Sequence, residues 1–169
     1  CLLSRGLGDV YKRQGLLWPL TPTVSVVAGV HKGFTTPSNA PGVEPETAVN
    51  YELGFRSSGR TGLEAIYFLS DYDNLLGQCT ASSGAQCTPG DSFNGNAATV
   101  QGLELTAQRE YATRTGLTFS VNLNYTYLDG HFDTDIADTA FFGDVSTGDP
   151  IPYLPQHQLH IGLGFLTTR

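Results

Sequence analysis

The sequence predicts an all-β protein of antiparallel, up-and-down strands forming part of a transmembrane β-barrel. Three observations carry that expectation. The first is "GLTFSVNLNYTYLDG" (116–130), which alternates without a slip: Leu117, Phe119, Val121, Leu123, Tyr125 and Tyr127 fall on one face, Thr118, Ser120, Asn122, Asn124 and Thr126 on the other. A period of two is a strand. Its length fits the about 9–11 residues that cross a bilayer at a tilt better than the five or six or so of a soluble strand. The second is composition. Charged residues are 15% of the chain, against roughly 25% in a soluble domain, yet no run of about 18 apolar residues offers a transmembrane helix. The third is that short and long connections alternate along the chain, as they do in outer-membrane barrels.

The strands come in order. "TVSVVAGVHKGF" (23–34) sets Val24, Val26, Ala28 and Val30 against Ser25, Gly29, His31 and Gly33. "TAVNYELGFR" (47–56) sets Val49, Tyr51, Leu53 and Phe55 against Asn50, Glu52, Gly54 and Arg56. "GLEAIYFLSDYDNL" (62–75) is less clean, because Ile66 and Phe68 interrupt its polar face. "ATVQGLELTAQREY" (98–111) sets Leu103, Leu105, Ala107 and Tyr111 against Gly102, Glu104, Thr106 and Gln108. After the strand at 116–128, "HQLHIGLGF" (157–165) sets Leu159, Ile161, Leu163 and Phe165 against Gln158, His160, Gly162 and Gly164. Six strands are expected, and no helix.

"SSGRT" (57–61) and "ATRT" (112–115) are turn-like, whereas 35–46, 76–97 and 129–156 are long and rich in Gly, Pro, Asp, Ser and Thr. Loops that long count against a compact soluble domain. In a barrel they are the extracellular loops, so 23–34, 62–75 and 116–128 run outward and the other three run back. Phe34, Tyr72, Tyr125 and Tyr127 are then expected at the outer interface, and Phe55, Tyr111 and Phe165 at the periplasmic one, as two aromatic girdles. The alternative is a soluble β-sandwich or adhesin domain whose apolar faces pack on one another. A sandwich interior would want Leu or Ile where this chain carries Asn, Ser, Gly and Glu.

Residues 1–14, "CLLSRGLGDVYKRQ", share no pattern with the rest of the chain. The "DVYKRQ" ending resembles translated adapter sequence, and the order of its apolar and basic parts is wrong for a signal peptide. The expectation is a non-native leader at 1–14 and a partial barrel domain at 15–169. With no Met in the chain, a fragment of a longer product is expected.

A net charge of −7 argues against a nucleic-acid partner. His31, His131, His157 and His160 lie on strands or loops without an adjacent nucleophile, so no enzyme is expected. The run "DGHFDTDIAD" (129–138) spaces Asp129, His131, Asp133, Asp135 and Asp138 in a way compatible with a loosely held divalent cation or, more simply, with a solvated loop.

Larger motifs carry a resemblance. Gly33-Phe34, Pro37-Ser38, Pro45-Glu46-Thr47 and Tyr51-Glu52-Leu53-Gly54 occur in that order, followed by "FLSDYDNLLGQCTASSGAQC" (68–87), "FNG" (93–95), "VQGLEL" (100–105) and "IPYLPQHQL" (151–159). As a set they resemble the late barrel of TonB-dependent outer-membrane receptors, and "GVHKGF" with "DYDNLLG" is most similar to the ferric-citrate branch. The resemblance implies about six strands of a barrel of about 22 in the bacterial outer membrane. It implies uptake of a ferric chelate, with cobalamin or an oligosaccharide as the other nutrients to consider. It also implies outer-membrane lipid as surroundings and a TonB complex reached through an N-terminal region not matched here. No cofactor is expected, since iron enters only within the transported chelate.

An anionic chelate calls for Arg or Lys donors, and 76–97 and 129–156 contain neither. His31 and Lys32, at an outward strand end, are the nearby cationic candidates. Cys79 and Cys87 are expected to form a disulfide across the 76–97 loop. An extracellular setting is oxidising, "TASSGAQ" between them is small enough to let the Cα atoms approach, and the loop offers no His for a metal. Free thiols are the alternative. Cys1, in the leader, is expected to have no partner.

Overall fold

The computed structural model describes residues 12–37, 42–78, 88–139 and 143–167. The strands are β1 (Lys12–Pro19), β2 (Val24–Thr35), β3 (Glu46–Ser57), β4 (Thr61–Asp73), β5 (Leu76–Gln78), β6 (Ser92–Asn94), β7 (Ala98–Ala112), β8 (Leu117–Phe132), β9 (Ile136–Thr139), β10 (Gly143–Val145) and β11 (His157–Thr167). Seven of them form one antiparallel meander in the order β1-β2-β3-β4-β7-β8-β11. Two hairpins, β5–β6 and β9–β10, stand apart within the long connections. Among the described residues there is no helix.

The wall therefore has one strand more than the sequence reading counts. β1 pairs from Lys12↔Lys32 to Pro19↔Ser25, and its first three residues belong to the stretch set aside as leader. Its consecutive Leu16, Leu17 and Trp18 hide the period of two. The other six strands coincide with the expected ones to within a few residues.

The register makes the two faces explicit. Outward rows run Val26–Phe55–Ala65–Leu105–Tyr125–Leu159 and Val24–Ser57–Leu63–Ala107–Leu123–Ile161. Inward rows run Ser25–Arg56–Glu64–Thr106–Asn124–His160 and Val27–Gly54–Ile66–Glu104–Thr126–Gln158. Ile66 and Phe68, which blur the pattern of β4, have a physical reason to be there. Each stands directly opposite a glycine, Ile66 against Gly54 and Phe68 against Gly102. A Cβ on Gly102 would come within 2.7 Å of the Phe68 ring and 2.3 Å of the Tyr127 carbonyl oxygen. The missing side chains are the space into which the large neighbours lie.

The short turns close with threonine and glycine. In 113–116, Thr113 N–H donates to Leu117 O at 2.7 Å, Leu117 N–H donates back to Thr113 Oγ1 at 3.1 Å, and Gly116 takes φ 78°, the left-handed position that tightens such hairpins.

Burial decides between barrel wall and sandwich. Leu53, Phe55, Leu159, Ile161, Leu163 and Phe165 are between 58% and 70% exposed. The buried apolar residues among those described are only Ala98, Phe132 and Val145. A sandwich would cover the oily face with a second sheet. Here it is left bare, which water does not tolerate over so large a patch and lipid does.

Candidate functional site

The inward face is concave. Its hollow, about 1110 Å³, is lined by Arg56, Glu64, Gln108, Glu110, Ser120 and Asn122. Arg56 Nε meets Glu64 Oε2 at 2.5 Å, and Thr106 Oγ1 donates to Asn124 Oδ1 at 3.2 Å. A polar ladder thus crosses the sheet at one level, on the side where the barrel encloses its lumen.

From Leu103 to Tyr111 strand β7 advances roughly 27 Å at about 3.4 Å per residue. At the usual tilt of about 35–45° that is roughly 20 Å of membrane depth. Aromatic residues bound this band on the outward face. At the periplasmic end Tyr111 stacks on Phe119 with ring centres 5.0 Å apart, and Phe165 lies opposite Phe119. At the outer end Tyr67 donates from its hydroxyl to Gln101 Oε1 at 2.8 Å, and the Tyr125 hydroxyl lies 2.9 Å from His157 Nδ1. Phe55 lies two residues from the periplasmic end of β3, on the row that runs through Leu105 to Tyr125. Tyr72 departs from its expected place: it lies on the inward row with Ala48 and Ala98 and packs against the small buried cluster.

That cluster closes the outer end of the inward face. Ala98, Phe132 and Val145 are joined by Tyr72, Leu75, Ile136 and Ile151. The return segment 146–156 is laid along the outer end of β8: Gly148 N–H donates to Phe132 O at 2.8 Å, Phe132 N–H to Asp149 O at 3.0 Å, and Ile151 N–H to Gly130 O at 3.0 Å.

The loops around it are held by side chains acting on backbone. Glu44 N–H donates to Asn94 Oδ1 at 2.9 Å, and Asn94 Nδ2 donates back to Glu44 O at 2.9 Å. Asn74, in the left-handed region at φ 55°, donates from Nδ2 to Glu44 Oε2 at 3.2 Å. Leu76 N–H donates to Glu46 Oε2 at 2.8 Å. These contacts join the two loops flanking β3 and β4, and no local sequence pattern announces the pairing. The "FNG" and Pro-Glu-Thr motifs, which contain Asn94 and Glu46, are the sequence signal of the residues themselves.

The expected ligand contacts separate. His31 faces inward, level with Asn50 and Ser70, while Lys32 faces outward, level with Val49 and Asp71. Adjacent residues of a strand point to opposite sides, so one site cannot use both on the same face. Cys79 and Cys87 lie outside the described residues. The acidic run is spent locally. Gln101 Nε2 donates to Asp129 at 3.2 Å, Thr99 Oγ1 donates to Asp133 at 2.7 Å, and His131 Nε2 is 3.4 Å from Asp133. Asp135 Oδ1 accepts both Thr147 N–H at 2.7 Å and Thr147 Oγ1–H at 2.9 Å. Those bonds hold its carboxyl below the ordinary carboxylate range. Among the described residues no group of three such ligands converges on one point.

A bare apolar belt, a concave polar inner face and short turns opposite long loops define one segment of an outer-membrane barrel. The chain belongs to the TonB-dependent receptor-like β-barrel family, whose model matches residues 4–169, and its place is the bacterial outer membrane. That family is one of receptors, not a class of enzymes. No curated protein matches the sequence. Among solved structures it is similar to the alcaligin outer-membrane receptor FauA of Bordetella pertussis, at 22% identity and a TM-score of 0.58. The match covers 89% of this chain and 25% of that receptor, so the chain spans a quarter of its solved neighbour.

Proposed function

We propose that this segment is part of the wall of a receptor that takes up a ferric chelate, driven from the inner membrane through TonB. The observation that carries the reading is the match of 4–169 to the receptor barrel family, joined to a wall that is polar and concave on one side and bare and apolar on the other. A solved neighbour named for alcaligin, a siderophore receptor, supports a chelate over a sugar or cobalamin. Iron-citrate as the particular chelate rests on "GVHKGF" (29–34) and "DYDNLLG" (71–77).

The wall supplies a polar lining, and the described loops supply shape. The long loops 76–97 and 129–156 carry no Lys or Arg, so the cations that grip an anionic chelate come from elsewhere in the receptor. A siderophore-deficient host carrying the intact gene is expected to grow on ferric citrate, and the same host without it is not. Growth on another ferric siderophore alone would keep the chelate reading and remove citrate. Growth restored only by a non-iron nutrient would remove both.

A further inference from the structure

At the periplasmic end of the lipid-facing side, one cation stands without a counter-ion among the described residues. Arg109 lies on the outward row with Thr61, Val121 and Leu163, one row inside the girdle of Tyr111, Phe119 and Phe165. Its guanidinium carbon is 4.7 Å from the centre of the Tyr111 ring. The side chain therefore bends toward the periplasmic end and away from the hydrocarbon centre, as long cations do at an interface. Its Nε is buried and, among the described residues, has no hydrogen-bond partner, which leaves the two Nη groups to face outward ligands. Neighbouring carboxylates point the other way: Glu110 and Glu64 are on the inward face, and Glu64 already holds Arg56. Arg60 and Arg114 are exposed on the adjoining turns.

An unpaired arginine at the edge of hydrocarbon is costly until an anion meets it. We propose that Arg109, seated on Tyr111 and flanked by Arg60 and Arg114, binds the headgroup phosphate of a phospholipid in the periplasmic leaflet. The planar guanidinium donates two parallel hydrogen bonds to phosphate oxygens, and the Tyr111 ring fixes its plane. The acyl chains run over Val121, Leu163 and Leu123 on the same face. The opposite end of the belt differs, because there Lys32 shares its outward row with Asp71, and Asp129 lies on a neighbouring one.

The test uses the intact receptor, purified in detergent, with phosphatidylglycerol as the probe and native mass spectrometry as the readout. Arg109→Gln is expected to retain about tenfold less lipid than the wild type, the loss of a charge-assisted hydrogen bond, with Arg109→Lys between them. Diacylglycerol with the same chains is expected to bind both forms equally and weakly, and inorganic phosphate is expected not to displace the lipid. Gln108→Ala, on the inward face, serves as the control and leaves retention unchanged. Equal phosphatidylglycerol retention by wild type and Arg109→Gln overturns the proposal. So does displacement by inorganic phosphate, which would mark a free-anion site. If Arg109→Gln does not assemble, Tyr111→Leu decides: it keeps the cation and removes its seat, and unchanged retention again overturns the site.

Discussion

The membrane wall satisfies its backbone polar groups with backbone alone, whereas the outer mouth adds side chains to the task. In the wall, each strand pairs with its neighbour from β1 to β11, so backbone bonds to backbone and side chains are free to face lipid or lumen. At the mouth, backbone pairing of the two hairpins and of 146–156 on β8 is supplemented by carboxylates and amides. There Asn94 serves Glu44, Glu46 serves Leu76, Asp135 serves Thr147, and Asp149 accepts from Ser146 N–H. A polar residue therefore means different things in the two regions. In the middle of the wall it marks the inner face, while on the outward face it is kept to the strand ends, as with Arg109 and Asp71. In the mouth it marks a loop being held in shape: the acidic 129–138 run reads in sequence as a solvated loop compatible with a loosely held cation, and its Asp129, Asp133 and Asp135 act as scaffolding in three dimensions.

The largest expected effect breaks the wall. Leu123 is near the middle of the belt, and Leu123→Arg is expected to cost about 2–4 kcal/mol and to abolish heat-modifiable barrel in the outer-membrane fraction. Asn122→Arg, one residue away but on the inner face, is expected to assemble normally. Val121→Arg, on the row of Arg109 and close to the girdle, falls between them. Equal tolerance of all three would end the distinction between faces.

A smaller effect is expected inside the sheet. Gly102→Ala drives a methyl against the Tyr127 carbonyl oxygen and the Phe68 ring, an overpacking cost of about 1–3 kcal/mol, measured as a lowered unfolding midpoint in urea. Adding Phe68→Ala relieves only the ring contact. Full rescue by the double variant would show that the backbone contact is unimportant.

The mouth is then separated from the wall by Asn94→Ala. Two hydrogen bonds to Glu44 are lost, at about 1 kcal/mol each, and faster amide exchange is expected at Glu44 with none at Leu105. Faster exchange throughout the wall would mean that mouth and wall unfold together.

The smallest effect is a pH dependence confined to the mouth. The folded carboxyl of Asp135 titrates below its unfolded value. Its contribution to loop order is therefore present above the ordinary carboxylate range and is lost as pH falls through the lowered value. Thr147 exchange should rise in acid beyond the intrinsic rate, and Asp135→Asn should remove that dependence.

Six of the seven wall strands are legible in sequence because lipid and lumen demand opposite chemistry at every second residue. β1 is not, because Leu16, Leu17 and Trp18 run together without alternation. Tyr72 is misplaced for a related reason: Ile66 and Phe68 disguise which side of β4 faces in. The clamp of Asn94 on Glu44 joins residues far apart in sequence through an amide and a backbone, a pairing no local pattern announces. The inequality of His31 and Lys32, by contrast, follows from parity alone.

The glycine notches have a consequence for how the wall finds its alignment. A slip of one residue between strands would turn oily side chains into the lumen and is refused by chemistry. A slip of two keeps every side chain on its proper face, and polarity is blind to it. Size is not. Shifted by two, Phe68 would meet Glu104 or Val100 in place of Gly102, and Ile66 would meet Glu52 or Arg56 in place of Gly54. The two bulky residues thus act as keys that fit one offset only, and β3, β4 and β7 are locked in register by shape where their alternating pattern alone leaves them free to slide.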